Sequence, residues 1–312
     1  MSPALSAADD RFHPPPDADP WWTETSWFSF WVPQRRLSGA LYPFFRPNLG
    51  VCASGVFLWD DTADEPWAVP YARSLWHLPM PSHDLTELSL PDGLSYECLE
   101  PLRRYRLRYA DGDEVELDLH FEGLFPPHAP LATPERGHLD QPGHVTGTLR
   151  LHGEELVVDC LAMRDRSWSH RPDTTGLRAG YCYASASAGH AFHAMSMFAG
   201  DEDLAVAGYL VRDGHFARLT SGRRRVAERD DRGRPVRVEV VVEDVEGRSL
   251  EAAGRCVNHL AFQANPGTFA WMSLTRWSFD GVEAWGEHQD IWTPTLLRAA
   301  RFGAARGTGR RT

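Results

Sequence analysis

The 312-residue chain contains no lysine, so all 32 of its basic side chains are arginine. Only the terminal amine is left to form a Schiff base, which excludes pyridoxal phosphate catalysis, and P-loop phosphoryl transfer lacks its cation. Also missing are G-x-S-x-G, H-E-x-x-H and a G-x-G-x-x-G opening a helix, which removes the serine hydrolase, zincin and dinucleotide-binding readings. Cysteine is scarce: Cys52, Cys98, Cys160, Cys182 and Cys256 are odd in number, widely spaced and without a C-x-x-C. They are expected as buried thiols in a reducing cytoplasm, not as a disulfide framework or zinc knuckle. No apolar run reaches the ~18 residues a membrane span needs, and the N-terminus is acidic and proline-rich instead of basic then apolar, so neither a membrane span nor a signal peptide is expected. The net charge of -11 argues against nucleic acid as the main partner.

What is present describes a globular protein with a substantial core, long enough for two domains. The dominant signal is short β-like runs joined by Gly/Asp turns. Five hairpins can be read: 102–109 with 115–121, 145–151 with 156–161, 204–211 with 216–219, 236–245 with 249–257, and 269–279 with 282–292. This predicts an all-β protein of two antiparallel β-barrel or sandwich domains with a short C-terminal helix over 295–302. The expected boundaries are a disordered tail at 1–20, β domains at 21–155 and 156–298, and an Arg/Gly tail at 299–312. The segment 125–144, rich in Pro, His and Gly, reads as a loop over a cavity mouth or a linker.

Three polar clusters stand out. In the first, Met163-Arg164-Asp165-Arg166-Ser167-Trp168-Ser169-His170-Arg171, strand alternation puts Arg164, Arg166, Trp168 and His170 on one face and Met163, Asp165 and Ser167 on the other. This run is either an ion-paired strand end or a site. The second, Trp285-Gly286-Glu287-His288-Gln289-Asp290-Ile291-Trp292, mixes acids with aromatics on either face, which suits protonation chemistry inside an apolar pocket but also fits a strand with one wet face. The third gathers Tyr181, Tyr183, His190 and His193. The two histidines point to opposite faces of a strand, so no metal site is expected. Twelve tryptophans suit either an aromatic core or a cavity lining.

The first cluster, preceded by Gln141-Pro142-Gly143-His144-Val145-Thr146-Gly147 and followed by Trp285-Gly286-Glu287-His288, resembles an uncharacterised bacterial family related to carotenoid 1,2-hydratase (hydroxyneurosporene synthase), the AttH-like proteins and tocopherol cyclase. The N-terminal Trp22-Thr23-Glu24-Thr25-Ser26-Trp27-Phe28-Ser29-Phe30 is in the same style. The resemblance implies two lipocalin-like β domains with a cavity for a long apolar molecule. It also implies acid-initiated carbocation chemistry, hydration or ring closure, without a cofactor. In the hydratases the motif reads Asp-His-x-Trp-Gly. Asp165 and Trp168 match it, whereas Arg166 stands for the histidine and Ser169 for the glycine.

The expectation is therefore a hydratase, dehydratase or cyclase acting on an isoprenoid-like or polycyclic substrate. Asp165 or Glu287 would be the proton donor, Trp168 and Trp285 would flank the cation, and His288 or His170 would orient water or take back the proton. Arg164 and Arg166 would lower the pKa of a carboxyl beside them, which favours Glu287 as the acid. Arg164, Arg166, Tyr181 and Tyr183 complete the expected substrate contacts. The rival reading is a carrier that holds a steroid, polyketide or isoprenoid unchanged, with the arginines meeting its acidic group. A purely structural module is a third. The expected partner is a hydrophobic small molecule, a homodimer is left open, and the expected location is cytoplasmic.

Overall fold

Three hairpins close on two-residue turns whose central residues both take positive φ: His152-Gly153 (49° and 83°), Asp213-Gly214 (55° and 75°) and Asp280-Gly281 (49° and 76°). That conformation matches the right-handed twist of the flanking strands, and glycine adopts it without a Cβ clash. A computed structural model describes residues 5–172, 177–199 and 201–308, with side chains described as far as Arg301. It contains all five hairpins.

The first sheet comprises β1 (Trp22–Val32), β2 (Leu37–Leu41), β3 (Phe44–Arg46), β4 (Val51–Trp59), β5 (Tyr71–Pro79), β6 (Ser95–Glu100), β7 (Arg104–Asp111), β8 (Val115–Gly123), β9 (His128–Thr133), β10 (Arg136–Leu151) and β11 (Glu154–His170). Its central order is β1-β11-β10-β8-β7-β6; β2 and β3 continue it from β1 to β4, β5 follows β4, and β9 extends the β8 edge of β10. The second comprises β12 (Arg178–Ser187), β13 (His190–Ala199), β14 (Glu202–Arg212), β15 (His215–Arg229), β16 (Pro235–Asp244), β17 (Ser249–Cys256), β18 (Leu260–Asn265), β19 (Thr268–Phe279) and β20 (Val282–Trp292), followed by helix α1 (Pro294–Thr308). Pairing of β17 with β19 closes β12–β17, β19 and β20 into an antiparallel barrel, and β18 adds to the same edge of β19. The all-β, two-unit expectation with a C-terminal helix therefore holds.

The first sheet wraps one apolar core that includes Phe28, Phe30, Leu58, Leu107, Leu119, Phe121 and Val158. The barrel holds its own, built on Phe192, Leu210, Val240, Trp277 and Phe279. The outer wall of the barrel packs against β1, β10 and β11, so every residue of β1 is buried: even-numbered positions such as Phe28 face the first core and odd-numbered ones such as Trp27 face the barrel.

Three boundary expectations are corrected. A break at 155/156 cuts the β10–β11 hairpin; the chain changes sheets only after His170. The first twenty residues do not form a free tail from residue 5 on. A 3-10 turn at Ala7–Asp10 buries Asp10, whose carboxylate accepts bonds from Tyr105 Oη at 2.6 Å and Arg164 Nη1 at 3.1 Å. Residues 1–4 lie outside the described residues, as do 309–312 of the expected Arg/Gly tail; the remainder of that tail, 299–308, belongs to α1. The segment 125–144 is largely strand, forming β9 and the first half of β10.

Trp168 shows how tightly this first sheet is packed. Its indole N–H donates to Thr133 O at 2.7 Å, and its ring lies over Gly137 of β10, where an added Cβ would sit 2.0 Å from Cζ2. Gly137→Ala is expected to cost roughly 1–3 kcal/mol through overpacking. Urea unfolding of the variant against the wild type checks this.

Candidate active site

The face of the first sheet that meets the barrel carries Asp165 between two neighbours in register, Trp27 on β1 and Asp140 on β10. Two residues along, on the same face, lie Thr25, Ser167 and His138. On the opposing barrel wall, Tyr183 pairs with Glu287 and His193, and Tyr181 with Gln289. Period-two alternation thus brings two polar rows together between two apolar cores.

Hydrogen bonds join the rows. Ser29 Oγ and Tyr183 Oη are 2.7 Å apart, and Tyr183 Oη donates to Glu287 Oε2 at 3.1 Å. Gln289 Nε2 holds the other Glu287 oxygen at 2.6 Å. Tyr181 donates to Asp140 Oδ1, which also meets His138 Nε2 at 3.0 Å. His193 Nδ1 lies 3.7 Å from Asp140 Oδ2. Arg171, at the end of β11, reaches Ser167 Oγ, which pairs with Thr25 Oγ1 at 2.6 Å.

Three carboxyls share this space and their environments divide their roles. Burial pushes Glu287 up to about 7, and the Asp165 charge adds to the rise. Burial pushes Asp165 up to about 7 as well; the adjacent Asp140 charge works in the same direction, against the cationic influence of His138 and Arg171. Burial acts on Asp140 too, but His138, His193 and the Tyr181 hydroxyl outweigh it and hold that carboxyl well below the usual range. Burial lowers His193 to about 4, which keeps it neutral. His138 is raised despite burial, by the charge and hydrogen bond of Asp140. The result is one fixed carboxylate beside two carboxyls that carry protons near neutrality, the division that general acid chemistry requires. Asp165, His138, Tyr42 and Gln289 are each only half-buried, so space reaches the cluster from outside.

Of the ten expected site residues, Asp165, Glu287, Tyr181 and Tyr183 come together here. Trp285 shares the Glu287 face and packs against the core that contains Tyr183. The others do not reach the cluster. Arg164 turns into the first core, bonded to Asp10 at 3.1 Å and Gln141 at 2.7 Å and stacked over Tyr105. Arg166 pairs with buried Glu24 at 2.6 Å, and Trp168 stacks on His13. These three realise the ion-paired alternative, because buried guanidiniums require carboxylate partners. His170 lies at the surface, 3.1 Å from Asp17. His288 points into the barrel, where burial and Arg224, 2.7 Å away, lower its pKa well below the ordinary value.

Asp140, His138 and Ser29 are not among the expected site residues, and His193 enters the sequence reading only as a member of the third cluster. The signal for the first two was Gly137-His138-Leu139-Asp140, whose alternation was obscured by the Pro and Gly residues around it. Among the described residues no group of His, Cys, Asp and Glu forms a metal site, and no helix is long and apolar enough to cross a membrane.

Two cavities lie apart from the acids themselves. One, of about 500 Å³, is lined by Phe44, Cys52 and Trp76 of the first sheet and by Gln263 and Asn265 of the barrel. Its Phe44 touches Tyr42, ring centroids 6.5 Å apart, and Tyr42 in turn is bonded to Thr25 and Arg171 and feels the Asp165 charge. The other, of about 400 Å³, lies under α1.

Solved structures share this fold. An AttH candidate from Nitrosomonas europaea is 18% identical, with a TM-score of 0.62 over 87% of this chain and 91% of that one. Kievitone hydratase from Nectria haematococca is 10% identical, with a TM-score of 0.55 over 87% and 89%. CghA with Sch210972 is 11% identical, with a TM-score of 0.54 over 88% and 89%. At these identities the likeness is one of fold. No curated protein matches the sequence. The profile described as "Domain of unknown function (DUF7064)" matches residues 6–293, and the chain belongs to that family.

Proposed function

We propose that the protein is a cofactor-independent hydratase, dehydratase or cyclase for a hydrophobic substrate, with Glu287 and Asp165 as its proton-bearing acids. The observation that carries this reading is the meeting of buried Glu287 and half-buried Asp165 on facing sheets, where desolvation pushes both up to about 7, beside the Asp140 carboxylate that His138, His193 and Tyr181 hold well below the usual range. Protonation of an alkene carbon by one acid leaves a cation next to the resulting carboxylate. Water, or an internal nucleophile, then forms the new bond and yields its proton to that carboxylate, so charge and atoms balance. The rings of Trp27, Tyr181 and Tyr183 offer π faces to such a cation. The apolar body of the substrate would lodge in the 500 Å³ cavity and reach the acids past Tyr42.

A structural neighbour named as a hydratase supports the same class. The carrier reading relied on Arg164 and Arg166 meeting an acidic ligand, and both already have internal carboxylate partners. The test is to incubate the purified protein with hydrophobic metabolite extracts and compare bound and released molecules by mass spectrometry. A product shifted by one water, or isomerised, supports the enzyme. A ligand returned unchanged overturns the catalytic reading in favour of a carrier.

A further inference from the structure

The lumen of the barrel opens beneath α1 into the second cavity, of about 400 Å³, lined by Phe269, Trp271 and Trp292 with Arg229, Arg301 and Leu297. Phe269 and Trp271 share their β19 face with Ser273, which pairs across to His288, so this cavity continues the barrel interior. Of the acid pair, Glu287 is on the opposite, outward wall of the barrel and Asp165 on the first sheet that faces it. The two sites are separate.

Its charge is unbalanced. Of the arginines that line it, Arg232 pairs with Asp64 at 2.9 Å and Arg229 with Asp290 at 2.7 Å; behind Arg229, Arg224 lies 2.9 Å from both Asp203 and Asp290, and Arg178 lies 4.0 Å from Asp203, so three guanidiniums share those two carboxylates. His288 is held neutral beside them, first by burial and then by Arg224. Arg178 stacks over the Trp292 ring at 4.3 Å, with its Nε buried and without a hydrogen-bond partner. At the rim Arg301 of α1 bonds to the backbone oxygen of Arg232 at 2.7 Å and, among the described residues, has no carboxylate within ion-pair reach. An aromatic-walled space rimmed by a guanidinium without a carboxylate partner favours an anion that carries rings.

Leu297 of α1 is half-buried in the cavity lining, while Leu296 and residues 298–301 are exposed. We infer that the barrel mouth is a second small-molecule site for a compact aromatic carboxylate, sulfate or sulfonate, bordered by α1. The volume suits a ligand of two or three rings.

The experiment titrates the full-length protein with 1-anilinonaphthalene-8-sulfonate and, in parallel, with the uncharged N-phenyl-1-naphthylamine. The sulfonate is expected to bind saturably, one per chain, and more weakly as salt rises. Arg301→Glu should weaken it about tenfold while changing the neutral probe less than about twofold. Leu297→Asp, which puts a charge into the apolar lining, should weaken both. Trp76→Ala, in the cavity proposed for the substrate, should leave sulfonate binding in place. Sulfonate binding that is unchanged by both Arg301→Glu and Leu297→Asp, or that is lost in Trp76→Ala, overturns the assignment.

Discussion

Glu287→Gln is expected to remove about 10²–10⁴-fold of turnover on a verified substrate while leaving the fold in place. Glutamine keeps the shape and can still meet Tyr183 Oη and Gln289 Nε2, the two partners of the native carboxyl. What it cannot do is deliver a proton. Asp165→Asn separates the roles: an equal loss makes the two carboxyls a joint acid, whereas a small loss makes Asp165 the charge that tunes Glu287. The wild-type pH profile follows from the same site. On the proposed mechanism the protonated form is the active one, so kcat/KM should be flat in mild acid and fall as pH rises through about 7, where both carboxyls ionise. Retained turnover in both variants refutes the proton-donor assignment.

The same burial has a stability consequence with a definite sign. A carboxyl whose folded pKa is raised above its unfolded value contributes stability that is fully present below the ordinary range and lost as pH rises through the folded value. For Glu287 that window runs from its ordinary 4.5 to about 7. Glu287→Gln should therefore be more stable than the wild type at pH 8, by on the order of 2–3 kcal/mol, and lose that advantage near pH 4. Urea unfolding at the two pH values reads the difference. An inactive variant that is more stable at alkaline pH would mark Glu287 as kept for chemistry at a cost to the fold.

Much of the fold was legible because its hairpins announce themselves in local chemistry. Asp213-Gly214 and Asp280-Gly281 supply the left-handed turns, and alternating residues on either side supply the strands. The N-terminal segment and the start of β10 were illegible for the opposite reason. Asp10 is buried to answer Arg164, 154 positions away in the chain, and no local pattern encodes that distance. Alternation also sorted the first cluster correctly, placing Asp165 opposite Arg164 and Arg166, and burial of Asp165 outweighs the lowering pull of the Arg164 charge. What it did not say was which face of a doubly buried strand would meet the other unit. Trp285 and Glu287 went to the interface and His288 to the barrel lumen, a choice set by packing of two sheets and invisible within either one.

The arginines give the sharpest contrast between the two ways of reading the first cluster. Arg166 and Glu24 are each 1% exposed and 2.6 Å apart, and Arg166 also donates to the Arg11 backbone oxygen. Arg166→Met leaves the Glu24 carboxylate facing only His13, and breaking a buried pair in this way is expected to cost about 3–5 kcal/mol. Adding Glu24→Gln removes the stranded charge, so the double variant should recover a sizeable part of that loss, and the double-mutant cycle should show strong coupling. Ligand capture, measured on whatever fraction remains folded, should stay normal in the double variant, since neither residue faces the acids. A stable Arg166→Met protein that no longer captures ligand would place Arg166 in the binding site and restore the carrier reading; a destabilised one with intact capture makes the cluster the fastening that holds the N-terminal segment to the sheet, with Asp165 alone turned toward the chemistry.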